Sequence, residues 1–184
     1  MARCAFVGLG VMGYPMAGHL VRKGSHEVTV YNRTFAKAEK WAGEFGGRAA
    51  RTPREAAEGA EIVFTMVGDD PDLRAIAYGD DGVLRGLGKG AIFADHTTTS
   101  AEVARELGEA CRKQGAFFVD APVSGGEAGA VNGVLTIMCG ADTQAFARVE
   151  PVMQSYGRAI THMGEVGAGQ CVRIFDLTGK VGAI

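Results

Sequence analysis

The chain has 184 residues, 47% of them hydrophobic, and a formal net charge of −2, enough for one ordinary domain, or one plus part of another, around a sizeable core. Acids and bases are mixed throughout, so no basic stripe marks a surface for nucleic acid or an anionic membrane, and no apolar run approaches the ~20 residues of a membrane span. Met1-Ala2-Arg3-Cys4 leads into a strand-like run with no signal-peptide layout, and Cys4, Cys111, Cys139 and Cys171 show no zinc or redox spacing, so a cytoplasmic protein with mostly buried free thiols and no metal is expected.

In chain order, short apolar runs alternate with helical patterns, which implies a mostly parallel sheet covered by helices. The first run, 4–7, ends at Gly8. A helix over 11–23 follows, with Pro15 in its first turn, where a missing N–H costs little, and Gly24 placed to end it. The second run is Glu27–Tyr31, followed by a helix over Phe35–Phe45 that Gly46 and Gly47 close. Thr52-Pro53-Arg54-Glu55 has the form of a capping box with proline at the first helical position. Further strands are expected at 61–67, 91–94, Phe117–Asp120, 135–139 and 158–160, and helices at 71–77, 101–114 and 143–155. The acids Asp69 and Asp70 mark the start of the first of these helices. Residues 82–90 read as a turn with a short connector. A boundary is expected near 164–169, dividing a domain of residues 1–162 from residues 163–184, the start of an interdomain helix or a divergent tail.

Residues 8–13 read Gly8-Leu9-Gly10-Val11-Met12-Gly13, a G-x-G-x-x-G that follows an apolar run and opens a helix. Gly8 permits the tight turn, Gly10 lets backbone approach a pyrophosphate, and Gly13 allows close helix–strand packing, while the helix N-terminus offers free N–H groups. Spaced glycines alone say little in a chain with 28 of them, but strand, loop and helix together point to a dinucleotide site. The fold class is therefore α/β, a Rossmann-type doubly wound, mostly parallel sheet. The second run ends Tyr31-Asn32-Arg33-Thr34, where NAD-binding versions place an acid to hold the ribose hydroxyls. With Asn32 in that place and Arg33 able to grip a 2′-phosphate, NADP is expected rather than NAD. The plainer alternative is that Arg33 is a solvated loop residue.

The longer string from Gly8 to Ala17, Gly-Leu-Gly-Val-Met-Gly-Tyr-Pro-Met-Ala, resembles the β-hydroxyacid dehydrogenases, a family of 3-hydroxyisobutyrate dehydrogenases and of glyoxylate, succinic semialdehyde and tartronate semialdehyde reductases, with 6-phosphogluconate dehydrogenase as a relative. Other landmarks follow in the family's order. Thr65-Met66-Val67 is similar to the strand-end loop near the nicotinamide, and Asp95-His96-Thr97-Thr98-Thr99-Ser100 to the Asp-x-Ser-Thr segment against the cofactor. Gly68-Asp69 stands where the family often has Pro-Asn. Asp120-Ala121-Pro122-Val123-Ser124-Gly125-Gly126 matches the substrate motif residue for residue, followed by Gly129-Ala130 and Gly133-x-Leu135-Thr136.

The resemblance implies a cofactor held by Gly8, Leu9, Gly10, Val11, Met12, Gly13, Asn32, Arg33, Thr34, Met66, Val67, Thr97 and Thr98. It also implies a small carboxylate substrate held by Ser124, Gly125 and Gly126, and a homo-oligomer in the full-length family. Ser124 and its glycines can be read independently as a hydroxyl and N–H nest for a carboxylate, or more plainly as a Gly-rich turn between two strands. His96, beside three threonines, reads as a polar loop residue rather than an acid or base, and His19, His26 and His162 as surface or strand-edge residues.

The family pattern continues Gly-x-x-Gly-x-Gly-x-x-x-Lys-x-x-x-Asn. Gly164, Gly167, Gly169 and Gln170 keep the register, but Arg173 stands at the lysine position and Leu177 at the asparagine position. The family's lysine exchanges a proton with the substrate oxygen. Arginine stays charged, so Arg173 at the catalytic position can polarise a carbonyl but donates a proton poorly. Residues 175–184 depart from the family and are similar to the opening strand of short-chain dehydrogenases. The family's C-terminal all-helical domain is absent from the sequence, as a truncation, frameshift or rearrangement would leave it. Two functions stay open: an NADP-dependent oxidoreductase for a small β-hydroxyacid and its semialdehyde, or a dinucleotide-binding module that has lost catalysis.

Overall fold

Runs that are apolar on both faces must be covered on both sides. β1 (Arg3–Val7), β4 (Ile62–Thr65), β5 (Ile92–Asp95) and β6 (Phe117–Asp120) are of this kind, buried almost end to end. In the computed structural model, which describes residues 1–178 and side chains as far as Arg173, they join β2 (Glu27–Tyr31) and β3 (Arg48–Ala49) in the parallel order β3-β2-β1-β4-β5-β6. That is the doubly wound Rossmann order. Leu177's side chain and residues 179–184 lie outside the described residues.

Successive residues of each strand point to opposite faces, so the sheet divides the core in two. Phe6, Phe64 and Ile92 enter one cluster with Met16 and Leu20 of α1 (Gly13–Arg22) and Trp41 of α2 (Phe35–Phe45). Val7, Val63 and Phe93 enter the other, with Ala56 of α3 (Pro53–Ala57), Leu73 of α4 (Asp70–Tyr78), Val83 of α5 (Val83–Gly86) and Leu107 of α6 (Ala101–Lys113). Val149 and Met153 of α8 (Thr143–Met153) complete the first cluster.

Past β6 the sheet changes direction. β7 (Val123–Ser124) and β6 both pair antiparallel with β8 (Leu135–Ala141), through Asp120↔Gly140 and Val123↔Ile137, and they keep one register. They are one strand interrupted at Ala121-Pro122, and Met138 N donates to the Pro122 carbonyl across the break at 3.1 Å. β9 (Gly157–Gly164) runs parallel along the other side of β8. α7 (Gly126–Asn132) fills the link from β7 to β8, and α9 (Ala168–Thr178) follows β9.

Local signals act at the helix starts. Thr52 Oγ1 accepts from Glu55 N at 3.0 Å, while Glu55 Oε2 accepts from Arg51 N at 2.8 Å rather than from Thr52. Asp69 caps α4 and Ser100 caps α6, and the Asp70 carboxylate ties the two caps together by accepting from Ser100 N at 2.9 Å and Ser100 Oγ at 2.5 Å. β8 and β9 run longer than the periodicity predicts, and β3, β7, α5 and α7 are additional elements.

Phe64 is fully buried, with ring centroids of Phe6 at 6.1 Å, His96 at 5.6 Å and Tyr156 at 6.0 Å. Phe64→Ala should cost about 3–5 kcal/mol, read as a lower urea midpoint at unchanged slope.

Candidate functional site

In an open parallel sheet the crevice for a ligand lies beyond the carboxyl ends of the strands, where the winding reverses. Here that point falls between β1 and β4. The chain leaves β1 at Gly8 with φ +97°, and a Cβ there would strike the Met66 carbonyl oxygen. At Gly13 a Cβ would strike the Gly8 carbonyl and meet Phe6 Cε1 at 2.9 Å, which is the close helix–strand approach the motif implies. At Gly10 a Cβ would meet nothing within 4 Å, so that position faces open space.

The first turn of α1 holds no acid, and no side chain caps it. Tyr14 N and Met16 N already donate to Gly10 O at 3.1 Å and Met12 O at 3.3 Å, and Pro15 has no N–H, so the N–H groups left for an anion are those of Gly10 to Gly13, where the loop enters the helix. Gly8 N donates to Tyr31 O at 2.9 Å and Leu9 N to Asn32 Oδ1 at 3.0 Å, while Asn32 Nδ2 donates to Thr34 O at 3.2 Å. Asn32 thus laces the loop to the end of β2. The loop, Asn32-Arg33-Thr34 and Met66-Val67 line one cleft of about 650 Å³. Leu9 and Gly13 are buried behind it, Leu9 with its side chain in the core. Asp72 and Asp81 line the same cleft, a contribution the sequence pattern does not signal.

Thr97, Thr98 and Ser124 to Gly126 lie outside that lining, at the ends of β5 and β6–β7. Asp95 organises the first of these ends. Its Oδ1 accepts from Thr65 Oγ1 at 2.5 Å and Thr97 Oγ1 at 2.7 Å, and Thr97 Oγ1 in turn accepts from Val67 N at 3.1 Å. Burial pushes the Asp95 carboxyl up to about 7 despite these hydrogen bonds, and its buried Oδ2 has no partner.

Asp120 organises the second end. Its Oδ1 accepts from Gly167 N at 2.6 Å and its Oδ2 from Gln170 N at 2.9 Å, at the start of α9, the helix that carries Arg173. Burial raises its pKa, and these backbone bonds offset part of the rise. Beyond it Ser124 is half-buried, and Gly125 (φ +129°) and Gly126 (φ +60°) are exposed where α7 opens.

The description "NAD binding domain of 6-phosphogluconate dehydrogenase" matches residues 3–164. A 3-hydroxyisobutyrate dehydrogenase of Pseudomonas aeruginosa is 38% identical over 174 residues, covering 95% of this chain and 58% of that protein. The chain belongs to the β-hydroxyacid dehydrogenase family. An uncharacterized oxidoreductase of Shewanella frigidimarina is 54% identical over 176 residues, covering 96% of this chain and 60% of that protein. The structure of Mycobacterium tuberculosis 3-hydroxyisobutyrate dehydrogenase with L-serine superposes with a TM-score of 0.88 at 34% identity, covering 96% of this chain and 59% of that one. The chain thus spans about three fifths of the length of these relatives.

One reading of this β-hydroxyacid dehydrogenase domain is corrected by the structure. His96 is a core residue, not a polar loop residue. It continues the alternation of β5 beyond Ala94, so its ring falls on the same face and stacks on Phe64. Its Nδ1 lies 2.7 Å from the Ala121 carbonyl, which can only accept, so Nδ1 carries the proton and Nε2 accepts from the Tyr156 hydroxyl at 2.9 Å. Burial lowers its pKa to about 4, which keeps the ring neutral. His19 is half-buried and binds the last carbonyls of α7, Ala130 O at 3.1 Å and Val131 O at 3.0 Å. Among the described residues, no helix is long and apolar enough to cross a membrane, and no cluster of His, Cys, Asp and Glu is arranged to hold a metal.

Gly10→Val should abolish dinucleotide binding while circular dichroism stays unchanged, because the new side chain fills the space above the loop without touching the fold. Normal dinucleotide binding by this variant would mean the loop has been misassigned.

Asp95 titrates at 3.8 when exposed and near 7 in the fold. Between those values the folded protein keeps a proton that the unfolded chain has released, so Asp95 withdraws stability as pH rises from about 4 to about 7. His96, lowered from 6.5 to about 4, adds stability as pH rises over that narrower range. In urea unfolding, Asp95→Asn should therefore gain on the unchanged protein as pH climbs from about 4 to about 7. A difference independent of pH would mean that Asp95 ionises normally.

Proposed function

We propose that this domain binds NADP and serves hydride exchange between its nicotinamide and a small β-hydroxyacid or the matching semialdehyde. The observation that carries the cofactor choice is Arg33, exposed in the same cleft as the glycine loop, at a strand end with no acid. A carboxylate there would repel a 2′-phosphate, whereas a guanidinium grips it through charge-assisted bonds. Asn32 has both ends of its amide engaged and shapes the turn that presents Arg33. The loop N–H groups and the start of α1 take the pyrophosphate.

When bound, the nicotinamide supplies the hydride chemistry, and the protein supplies orientation. Ser124 Oγ and the backbone N–H groups of Gly125 and Gly126 hold the substrate carboxylate. The relative named 3-hydroxyisobutyrate dehydrogenase supports a substrate of that size and charge. Arg173, at the family's lysine position, polarises the substrate oxygen without giving up its own proton. That substitution also favours a second reading, a domain that binds NADP and has lost turnover.

NADPH should bind more tightly than NADH, and Arg33→Ala should weaken NADPH alone. A lost charge-assisted contact of ~1.5–3 kcal/mol corresponds to roughly ten- to hundred-fold in affinity. Equal affinities for the two cofactors would remove the basis for NADP. Turnover is read as NADPH oxidation with glyoxylate, succinic semialdehyde or tartronate semialdehyde. A rate that Ser124→Ala reduces supports the oxidoreductase; binding without any rate supports the second reading.

A further inference from the structure

Gln170 is fully buried and makes hydrogen bonds through its backbone N–H and both ends of its carboxamide. Its backbone N–H donates to Asp120 Oδ2 at 2.9 Å, its side-chain Nε2 donates to the Thr97 carbonyl at 2.7 Å, and its Oε1 accepts from Thr99 N at 3.1 Å. The carboxamide therefore does for residues 97–99 what the peptide of a neighbouring strand would do. It closes a bridge across Thr98. Thr97 and Thr99 are 1% and 6% exposed, while Thr98 between them is exposed. Thr97 Oγ1 also accepts from the N–H of Val67, a residue of the cleft wall, so the bridged segment abuts the end of the cleft beyond Met66 and Val67.

We propose that Gln170 is a positioning residue whose carboxamide bridges Thr97 and Thr99 and thereby presents Thr98 to the nicotinamide end of the cofactor. The bridge starts from α9, and Asp120 fixes where α9 begins. The substrate motif, the helix of Arg173 and the cofactor-facing loop are thus joined through one residue, by its backbone N–H on one side and its carboxamide on the other. This inference rests on the cofactor reading above. Glycine-loop and Arg33 contacts lie away from the bridge, so removing it should disturb the surroundings of the nicotinamide far more than overall affinity.

Titrating NADPH into the 184-residue chain by fluorescence reads both quantities. The dissociation constant reports the whole cofactor, and the emission of the saturated complex reports the surroundings of the nicotinamide ring. In Gln170→Met the dissociation constant should change by less than about threefold, while the emission of the saturated complex falls toward that of free NADPH. Thr98→Ala, at an exposed position, should reproduce that fall.

Gln170→Glu adds a test that a merely structural role would not pass. Ionised at about pH 8, the carboxylate cannot donate to the Thr97 carbonyl, and the variant should behave like Gln170→Met. Protonated at about pH 5.5, with its pKa raised by burial, it again offers one donor and one acceptor, and emission should recover. Asp95, Asp120 and His96 face the same region, so recovery is judged against the unchanged protein at each pH. Unchanged emission in Gln170→Met or Thr98→Ala, or a Gln170→Glu defect that persists at low pH, overturns the proposal. If Gln170→Met does not fold, Thr98→Ala and Gln170→Glu decide it. Failure of the unchanged chain to bind NADPH would overturn the cofactor reading and this inference with it, whereas normal binding with unchanged emission overturns the inference alone.

Discussion

The passage from β1 into α1 has no room for a side chain at Gly8 or at Gly13, and much of the cofactor side of the molecule follows from that. At Gly8 the backbone turns through a positive φ against the Met66 carbonyl, and at Gly13 it closes on the carbonyl of Gly8 itself. Because the helix is drawn this close to the sheet, the loop residues that lead into it, Gly10, Val11 and Met12, line the cleft. Trp41 Nε1 then donates to Tyr14 O at 3.1 Å and fastens α2 to the first turn of α1, and Asn32 fastens the end of β2 to Leu9. Loop, turn and helix are thus tied together by hydrogen bonds within the protein, which limits the ordering entropy lost on binding.

The other end of the site is built on two carboxylates that are register partners, Asp95 on β5 and Asp120 on β6. Burial disfavours a charge on either, the neighbouring Asp120 adding to this at Asp95, and the protein meets it in two ways. At Asp95 burial pushes the carboxyl up to about 7, against hydroxyl donors that favour its ionised form. Asp120 collects backbone N–H groups from the start of α9, where the helix dipole favours negative charge. One carboxyl therefore organises the loop that follows β5, and the other anchors the helix that carries Arg173.

How much of this could be read from the chain varies with the range of the interaction. Strands buried on both faces declare themselves as apolar runs, and the starts of α3 and α4 through Thr52 and Asp69; β1, β2, β6, α2 and α6 fall within a residue of their expected bounds. α7 escaped because its glycines and the helix-ending Gly133 (φ +65°) read as a turn, and β3 and β7 because two residues carry no periodicity. His96 was misplaced since its burial depends on Tyr156, 60 residues away, and on the Ala121 carbonyl. Asp120 was legible as part of a motif, but its hold on Gly167 and Gln170, some 50 residues on, has no local signature.

Three of the cysteines occupy three separate parts of the core: Cys4 on β1, Cys111 on α6 and Cys139 on β8. Burial pushes each thiol up to about 12, so at neutral pH the folded molecule offers almost no thiolate at these positions. Alkylating reagents attack thiolate, and each buried sulfur becomes reactive only when its own element opens. Cys171 on α9 is partly exposed and stands apart from the other three. The labelling rates of the buried thiols thus form a set of internal clocks, separately timing the release of the central sheet, the helical layer and the antiparallel strand that pairs with Val123 and Ser124.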